Sequence, residues 1–311
     1  MTTAVSPVSL DDSARAAAAP SGRRLKLPKN KRPSTFFTIV GLAALVYFLA
    51  PLAWLVFAST KTNGDLFSTF GFSFGGTFNL FQNLADVFTR QDGIFGRWLL
   101  NTILYAGVSG IGASLLATAA GFAFAKYRFR GGTALFSVVL GAIMIPTTAL
   151  AIPTFLLFSQ VGLTNTPLAV ILPSLVNPFG VYLMKVYAEG AVDDSLMEAA
   201  RIDGAGEFRI FWQVSLRLLM PGLVTVLLFS LVATWNNYFL PLIMLNDPNL
   251  LPLTVGLGQW QSAAAAGGGG SQADFTPILT GSLVSVVPLI VAFLFLQKYW
   301  QSGLSTGGVK G

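Results

Sequence analysis

Six stretches of the chain, about residues 36–58, 99–125, 134–159, 167–187, 218–243 and 278–298, are almost wholly apolar. Each is long enough to cross a bilayer as a helix, which takes roughly 20 residues. None contains Asp or Glu, and their only basic residues are Lys185, close enough to an end for its amine to reach the interface, and Lys298, the last residue of the sixth. A charge at the centre of a spanning helix costs roughly 2.5–3.5 kcal/mol on insertion scales, so this gap in the charge pattern supports the assignment. The pattern predicts an all-α membrane protein with six transmembrane helices.

The polar segments between these stretches alternate in sign. Seven basic residues precede the first stretch (Arg15, Arg23, Arg24, Lys26, Lys29, Lys31, Arg32). Lys126, Arg128 and Arg130 follow the second, Arg201, Arg209 and Arg217 lie between the fourth and fifth, and Lys298 and Lys310 lie at and beyond the end of the sixth. The opposite loops hold only Lys61, Arg90 and Arg97. The positive-inside rule therefore predicts both termini in the cytoplasm. Segment 1–35, rich in Ala, Pro, Ser and basic residues, reads as a disordered cytoplasmic tail before a transmembrane domain over 36–311. The first apolar stretch exceeds the 7–15 residues of a signal-peptide core, so it is expected to remain as an anchor.

Composition agrees. The 311 residues are 53% hydrophobic and 10% charged, against about 25% charged in soluble domains. The net charge of +6 is spread by topology rather than gathered in one patch, so no nucleic-acid partner is expected. There is no Cys and no His. That excludes disulfides, thiolate or imidazole metal sites, and Ser-His or Cys-His nucleophiles.

Apart from Lys185 and Lys298 near their ends, the spans hold no charged group to run a proton relay. No Gly-Lys pair exists for a phosphate-binding loop. If ATP drives this protein, another polypeptide binds it. Prolines and neutral polar groups instead gather in the spans: Pro146 and Pro153 in the third, Pro173, Asn177 and Pro178 in the fourth, and Trp235, Asn236, Asn237, Tyr238 and Pro241 in the fifth. Amides can bond hydroxyls and ring faces can cover the apolar face of a sugar, so Asn177, Trp235, Asn236, Asn237 and Tyr238 are candidate pathway residues. The same types also serve as interhelical glue or, for Trp235, as an interfacial anchor. The small residues Ser109, Ala113, Ala117 and Gly121 form a strip that admits a neighbouring helix, from this subunit or another.

One polar loop, about 188–217, can itself be helical. Asp193, Asp194 and Ser195 are N-cap candidates, Leu196 to Arg201 has high helix propensity, Gly204 permits a turn, and 207–214 can begin another helix. The run 263–271, four Ala, four Gly and a Ser, reads as a flexible insertion in the loop 244–277.

Glu198-Ala199-Ala200, with Gly204 beyond it, resembles the EAA loop of ABC-transporter permeases that work with binding proteins. Asn101-Thr102, the segment Ala125 to Gly131, Met144-Ile145-Pro146, the segment Trp235 to Leu242 and the ending Gly307 to Gly311 are similar to the sugar-permease branch. The resemblance runs over about 36–311 and is nearest the shorter, six-span subunit of maltose-type transporters. It implies a permease subunit of a bacterial inner-membrane importer for a sugar or oligosaccharide, not itself an enzyme. It implies that Glu198, Ala199, Ala200, Asp203 and Gly204 form a coupling helix and turn that dock on a separate ATPase. ATP and Mg would then be held by an ATP-binding subunit dimer, with no cofactor in this chain. The further implied partners are a second homologous permease, an extracytoplasmic sugar-binding protein and membrane lipid. The chain departs from the family pattern at Leu216-Arg217, where Leu-Pro is usual, with proline only at Pro221. An importer of another solute (a glycerol phosphate or a polyamine), a sodium-coupled carrier and a membrane scaffold are the alternatives.

Overall fold

A computed structural model describes residues 35–267 and 274–307, which form helices and their connections with no strand among them. The expected tail and most of the Gly run lie outside these residues. The chain divides into two units at residues 50 and 51. In the first, the described part is the opening of helix α1 (Thr35–Ser59), nearly all of whose side chains there are exposed.

The second unit carries α1 on from Pro51, then α2 (Asn63–Ser68), α3 (Leu80–Lys126), α4 (Gly132–Ile143), α5 (Ala151–Gln160), α6 (Leu168–Ser174) and α7 (Pro178–Ala191). Beyond these come α8 (Asp194–Ile202), α9 (Glu207–Arg209), α10 (Leu216–Trp235), α11 (Phe239–Met244), α12 (Leu253–Ala266) and α13 (Thr276–Gly307). Among the described residues, five helical segments are long and apolar enough to cross a membrane, or six if one bent pair is a single span.

That pair corrects the third expected span. α4 and the helical segment from Thr147 to Gln160 meet at 100° rather than forming one rod. Pro146 is the cause: it has no N–H to donate, and its ring pushes the preceding residue out of helical geometry. The fifth span is corrected at both ends. Its helix starts at Glu207, passes through a wide π turn at Ile210–Ser215, and stops at Trp235 before a break at residues 236–238. With Arg217 where proline is usual, no interruption falls there. The expected flexible run is corrected in part as well, since Ala263–Ala266 complete the last turn of α12.

α3 is the central post, packed against α7, α10 and α13. Its small strip faces inward: Ser109, Ala113, Ala117 and Gly121 are all buried within this subunit. A Cβ on Gly121 would stand 2.6 Å from Met184 Cβ and 2.7 Å from the Lys185 amide nitrogen, so the backbones of α3 and α7 touch here. Near its start α3 is broken by three consecutive left-handed residues, Gln91, Asp92 and Gly93. Trp260 Nε1 donates to Gln91 Oε1 at 3.0 Å and helps hold this turn.

Loop 244–277 is mostly built structure. Four side chains of α3 grip it by its backbone. Trp98 Nε1 donates to Pro248 O (2.8 Å), Tyr105 OH to Leu250 O (2.8 Å), and Asn101 Nδ2 to Asn249 O (2.8 Å) and Leu251 O (3.0 Å). Thr102 Oγ1 accepts from the Leu253 amide at 2.8 Å. These bonds satisfy backbone groups that a loop at the membrane boundary would otherwise leave unpaired.

Candidate functional site

The loop between α7 and α10 folds as a short helix standing on the body of the protein. Met197 sets the rotation of α8. Its side chain is buried among Ala117, Phe122, Met184, Ala188, Ile210 and Leu219. With Met197 pointing in, Ser195, Glu198, Ala199 and Ile202 fall on one outward face, all exposed. Ile202 is 87% exposed and, beyond the turn, Phe208 is 78% exposed.

Polar clamps hold both ends of α8. Lys126 Nζ, at the end of α3, donates to Asp194 Oδ1 at 2.9 Å. Arg201 forks onto Glu207, Nε to Oε1 at 2.7 Å and Nη2 to Oε2 at 3.2 Å, and Tyr127 OH donates to the same Oε2 at 2.7 Å. The hydrogen bond and charge of Lys126 hold the Asp194 carboxyl below its usual range. Burial, with the Glu207 hydrogen bond second, pushes the Tyr127 phenol up to about 12, so it donates throughout the physiological range. The bond to Glu207 likewise raises the Arg201 guanidinium above its usual value. Asp193 takes the N-cap position with extended backbone, yet its side chain makes no capping bond, so the expected cap is only positional. Asp194 pairs with Lys126 instead.

The helix ends in a Schellman turn. The Ala205 amide donates to Ala200 O at 2.9 Å and the Gly204 amide to Arg201 O at 3.0 Å, with Gly204 at φ +79°. A side chain there suffers the left-handed clash, about 1–2 kcal/mol. Gly204→Val is therefore expected to open the end of α8 and speed amide exchange at Gly204 and Ala205, by roughly ten-fold for about 1.4 kcal/mol. Hydrogen-exchange mass spectrometry checks this; unchanged exchange would contradict the reading of the turn.

Of the residues singled out for docking, Glu198, Ala199, Asp203 and Gly204 are exposed together, while Ala200 is half-buried against the Met197 cluster. The pathway candidates fall apart more. Asn177 caps α7, accepting from the Gly180 amide at 2.8 Å, and its Nδ2 donates to Ser230 Oγ of α10 at 2.8 Å. Trp235 is buried in the core with Trp98, Tyr105 and Trp260. Asn236 is exposed and bonds back to Val232 O, and Asn237 gives its carbonyl to Thr254 Oγ1. Tyr238 is half-exposed and lines an open cavity of about 390 Å³ with Thr254, Gln261, Ser262 and Ser282. Sequence reasoning missed Lys126, Tyr127 and Glu207 as clamps and Gln261 beside Tyr238, since only the fold brings these groups together.

Membrane-length helices, with an amphipathic helix held rigidly between two of them, describe a polytopic membrane protein. Residues 113–305 match the model of the family "binding-protein-dependent transport system inner membrane component", and the chain belongs to that family. It is a transport component and not itself an enzyme. The chain is 34% identical over 271 residues to the arabinooligosaccharides transport system permease AraQ of Halalkalibacterium halodurans, covering 86% of this chain and 94% of that one. It is 27% identical to the lactose transport system permease LacG of Rhizobium radiobacter, covering 88% and 95%. Its fold matches a chain of a solved bacterial ABC transporter that imports the acidic polysaccharide alginate, with a TM-score of 0.72 at 24% identity over 88% of this chain and all of that one.

Proposed function

We propose that this chain is the six-span permease subunit of an ATP-driven importer for a sugar or oligosaccharide, and that α8 is where a separate ATPase pushes on it. The observation that carries the reading is the build of α8. Its outer face presents a carboxylate, a methyl-sized side chain and a bare isoleucine; it is mounted by the buried Met197, by Lys126 on Asp194, and by Arg201 on Glu207, which Tyr127 holds in turn. Force on the outer face would pass to α3, and from there to α7 and α10, which pack on it.

The distribution of basic loops supports a cytoplasmic position for α8 and both termini. Of the three opposite cations, Lys61 is buried and Arg90 pairs with Asp274 at 3.1 Å. ATP and Mg then belong to the ATPase dimer, a second homologous permease completes the membrane path, and an extracytoplasmic binding protein delivers the sugar. Tyr238 is the pathway residue best placed for a sugar ring, with the Gln261 amide in the same cavity. Asn237 reaches that cavity through its carbonyl, which accepts from Thr254 Oγ1, whereas Asn177 and Trp235 are taken up in helix capping and core packing. The sugar class rests on the relatives named above.

The test is reconstitution in proteoliposomes with the partner permease, ATPase and binding protein. Uptake of labelled oligosaccharide is expected to need both ATP and the ATPase. Uptake by the permeases alone, driven by a sodium gradient, would overturn the proposal.

A further inference from the structure

Between Leu66 and Ala85 the chain carries no charge and holds six phenylalanines: Phe67, Phe70, Phe72, Phe74, Phe78 and Phe81. Each is 44–77% exposed. Their rings run as a ladder, Phe70–Phe72, Phe74–Phe78 and Phe78–Phe81 lying 6.0–6.2 Å apart. Isolated exposed phenylalanines are ordinary, but a contiguous row marks an interaction surface.

The row is continuous with the end of a membrane span. Phe57 of α1 packs on Phe74 at 5.0 Å and on Phe72 at 6.4 Å. The Trp54 ring lies so close to Gly71 that an added Cβ would be 2.9 Å from its Nε1. Segment 71–74 thus folds back alongside Trp54, five residues before α1 ends at Ser59. At about 1.5 Å per residue that is ~7.5 Å below the helix end. α1 is long enough to cross a hydrocarbon core of about 30 Å, so a level ~7.5 Å from its C-terminal end lies near the core edge.

The polar groups of the segment are prepared for loss of water. Ser68 donates to Gly64 O, Thr69 to Asp65 O and Ser73 to Phe70 O, while Thr77 accepts from Asn79. Lys61 is buried beneath it and donates from Nζ to Phe70 O at 2.8 Å. Asn83, also buried, ties the helix end down by donating to Ser59 O and Lys61 O at 2.8 and 2.9 Å. Hot spots on protein partners are carried by Trp, Tyr and Arg, and none of these lies between residues 66 and 85. This row offers bare rings and engaged hydroxyls, while its turn backbone, in which only the Ser73 amide is paired between residues 70 and 78, belongs at the hydrated headgroup level with the rings reaching inward.

We propose that segment 67–81 is a lipid-embedded anchor whose phenylalanines enter the leaflet at the C-terminal end of α1. The proposal does not depend on which side of the membrane that leaflet faces. The chain has no cysteine, so Phe70→Cys and Phe74→Cys each accept a single nitroxide label in the assembled transporter in liposomes, once the partner subunits are cysteine-free. At both positions, collision with oxygen is expected to exceed collision with a water-soluble nickel chelate several-fold, with the reverse at an exposed control, Thr89→Cys. A nickel-accessible label at 70 and 74 would mean a water-facing loop, and a label shielded from both reagents would mean a protein partner. Either result overturns the proposal, and the two variants are read separately so that loss of one fold leaves the other to decide.

Discussion

Glu198→Lys is expected to abolish ATP-driven uptake while leaving the permease folded and in the membrane. The side chain sits on the outward face of α8, away from Met197, and makes no hydrogen bond in the Arg201–Glu207 fork; its charge reaches Arg201, but Met197 and the fork itself still hold the helix in the variant. What changes is the face presented to a partner. A carboxylate beside a small Ala199 becomes a long cation, and misplacing one charge in a docked interface costs several kcal/mol. At 1.4 kcal/mol per factor of ten, that corresponds to at least about 100-fold in productive coupling. The checks are uptake in proteoliposomes and, in parallel, membrane abundance and monodispersity of the purified complex. Normal uptake would contradict the coupling role. Loss of the permease from the membrane would contradict the claim that Glu198 has no structural role.

Gly121→Leu is expected to remove the folded protein altogether. A Cβ at this position already meets the backbone of α7 at 2.7–2.8 Å, and a backbone cannot swing aside as a side chain can. Leucine adds further carbons at the crossing, where overpacking costs about 1–3 kcal/mol and more when main chain must move. Close backbone approach at small residues is also how membrane helices gain van der Waals contact, so the same change loses the packing it displaces. Detergent-solubilised material should collapse from a single size-exclusion peak to aggregate, with membrane abundance down roughly ten-fold for about 1.4 kcal/mol. Wild-type abundance would show that α3 and α7 do not cross as described.

Long uncharged stretches were enough to read the positions of α1, α3, α7 and α13, because a bilayer leaves a helix few alternatives. The breaks were less visible. Pro146 announces an interruption, but its 100° angle depends on how α4 and α5 pack. The left-handed turn at residues 91–93 has only Asp92 and Gly93 as a local signal, since Gln91 does not favour that conformation. The grip of Trp98, Asn101, Thr102 and Tyr105 on segment 248–253 was illegible because most of its acceptors are carbonyls, which every residue carries. Within the candidate site, α8 and its glycine turn follow from propensity and from the need for positive φ at Gly204. Which face looks outward follows from Met197, whose burial partners come from α3, α7 and α10. Amide-bearing pathway candidates were the least legible, because Asn177 can serve a sugar or a helix cap equally well and the fold uses it as a cap.

Cross-linking from α8 tests the central claim most directly. Ala199→Cys introduces a single cysteine on the outward face of a chain that otherwise has none. In the assembled transporter, a short thiol-to-amine reagent at that position is expected to join this chain to the ATP-binding subunit, with a yield that changes between nucleotide-free and ATP-bound states. A transporter that imports sugar at the wild-type rate yet gives no such cross-link in either state would contradict the account.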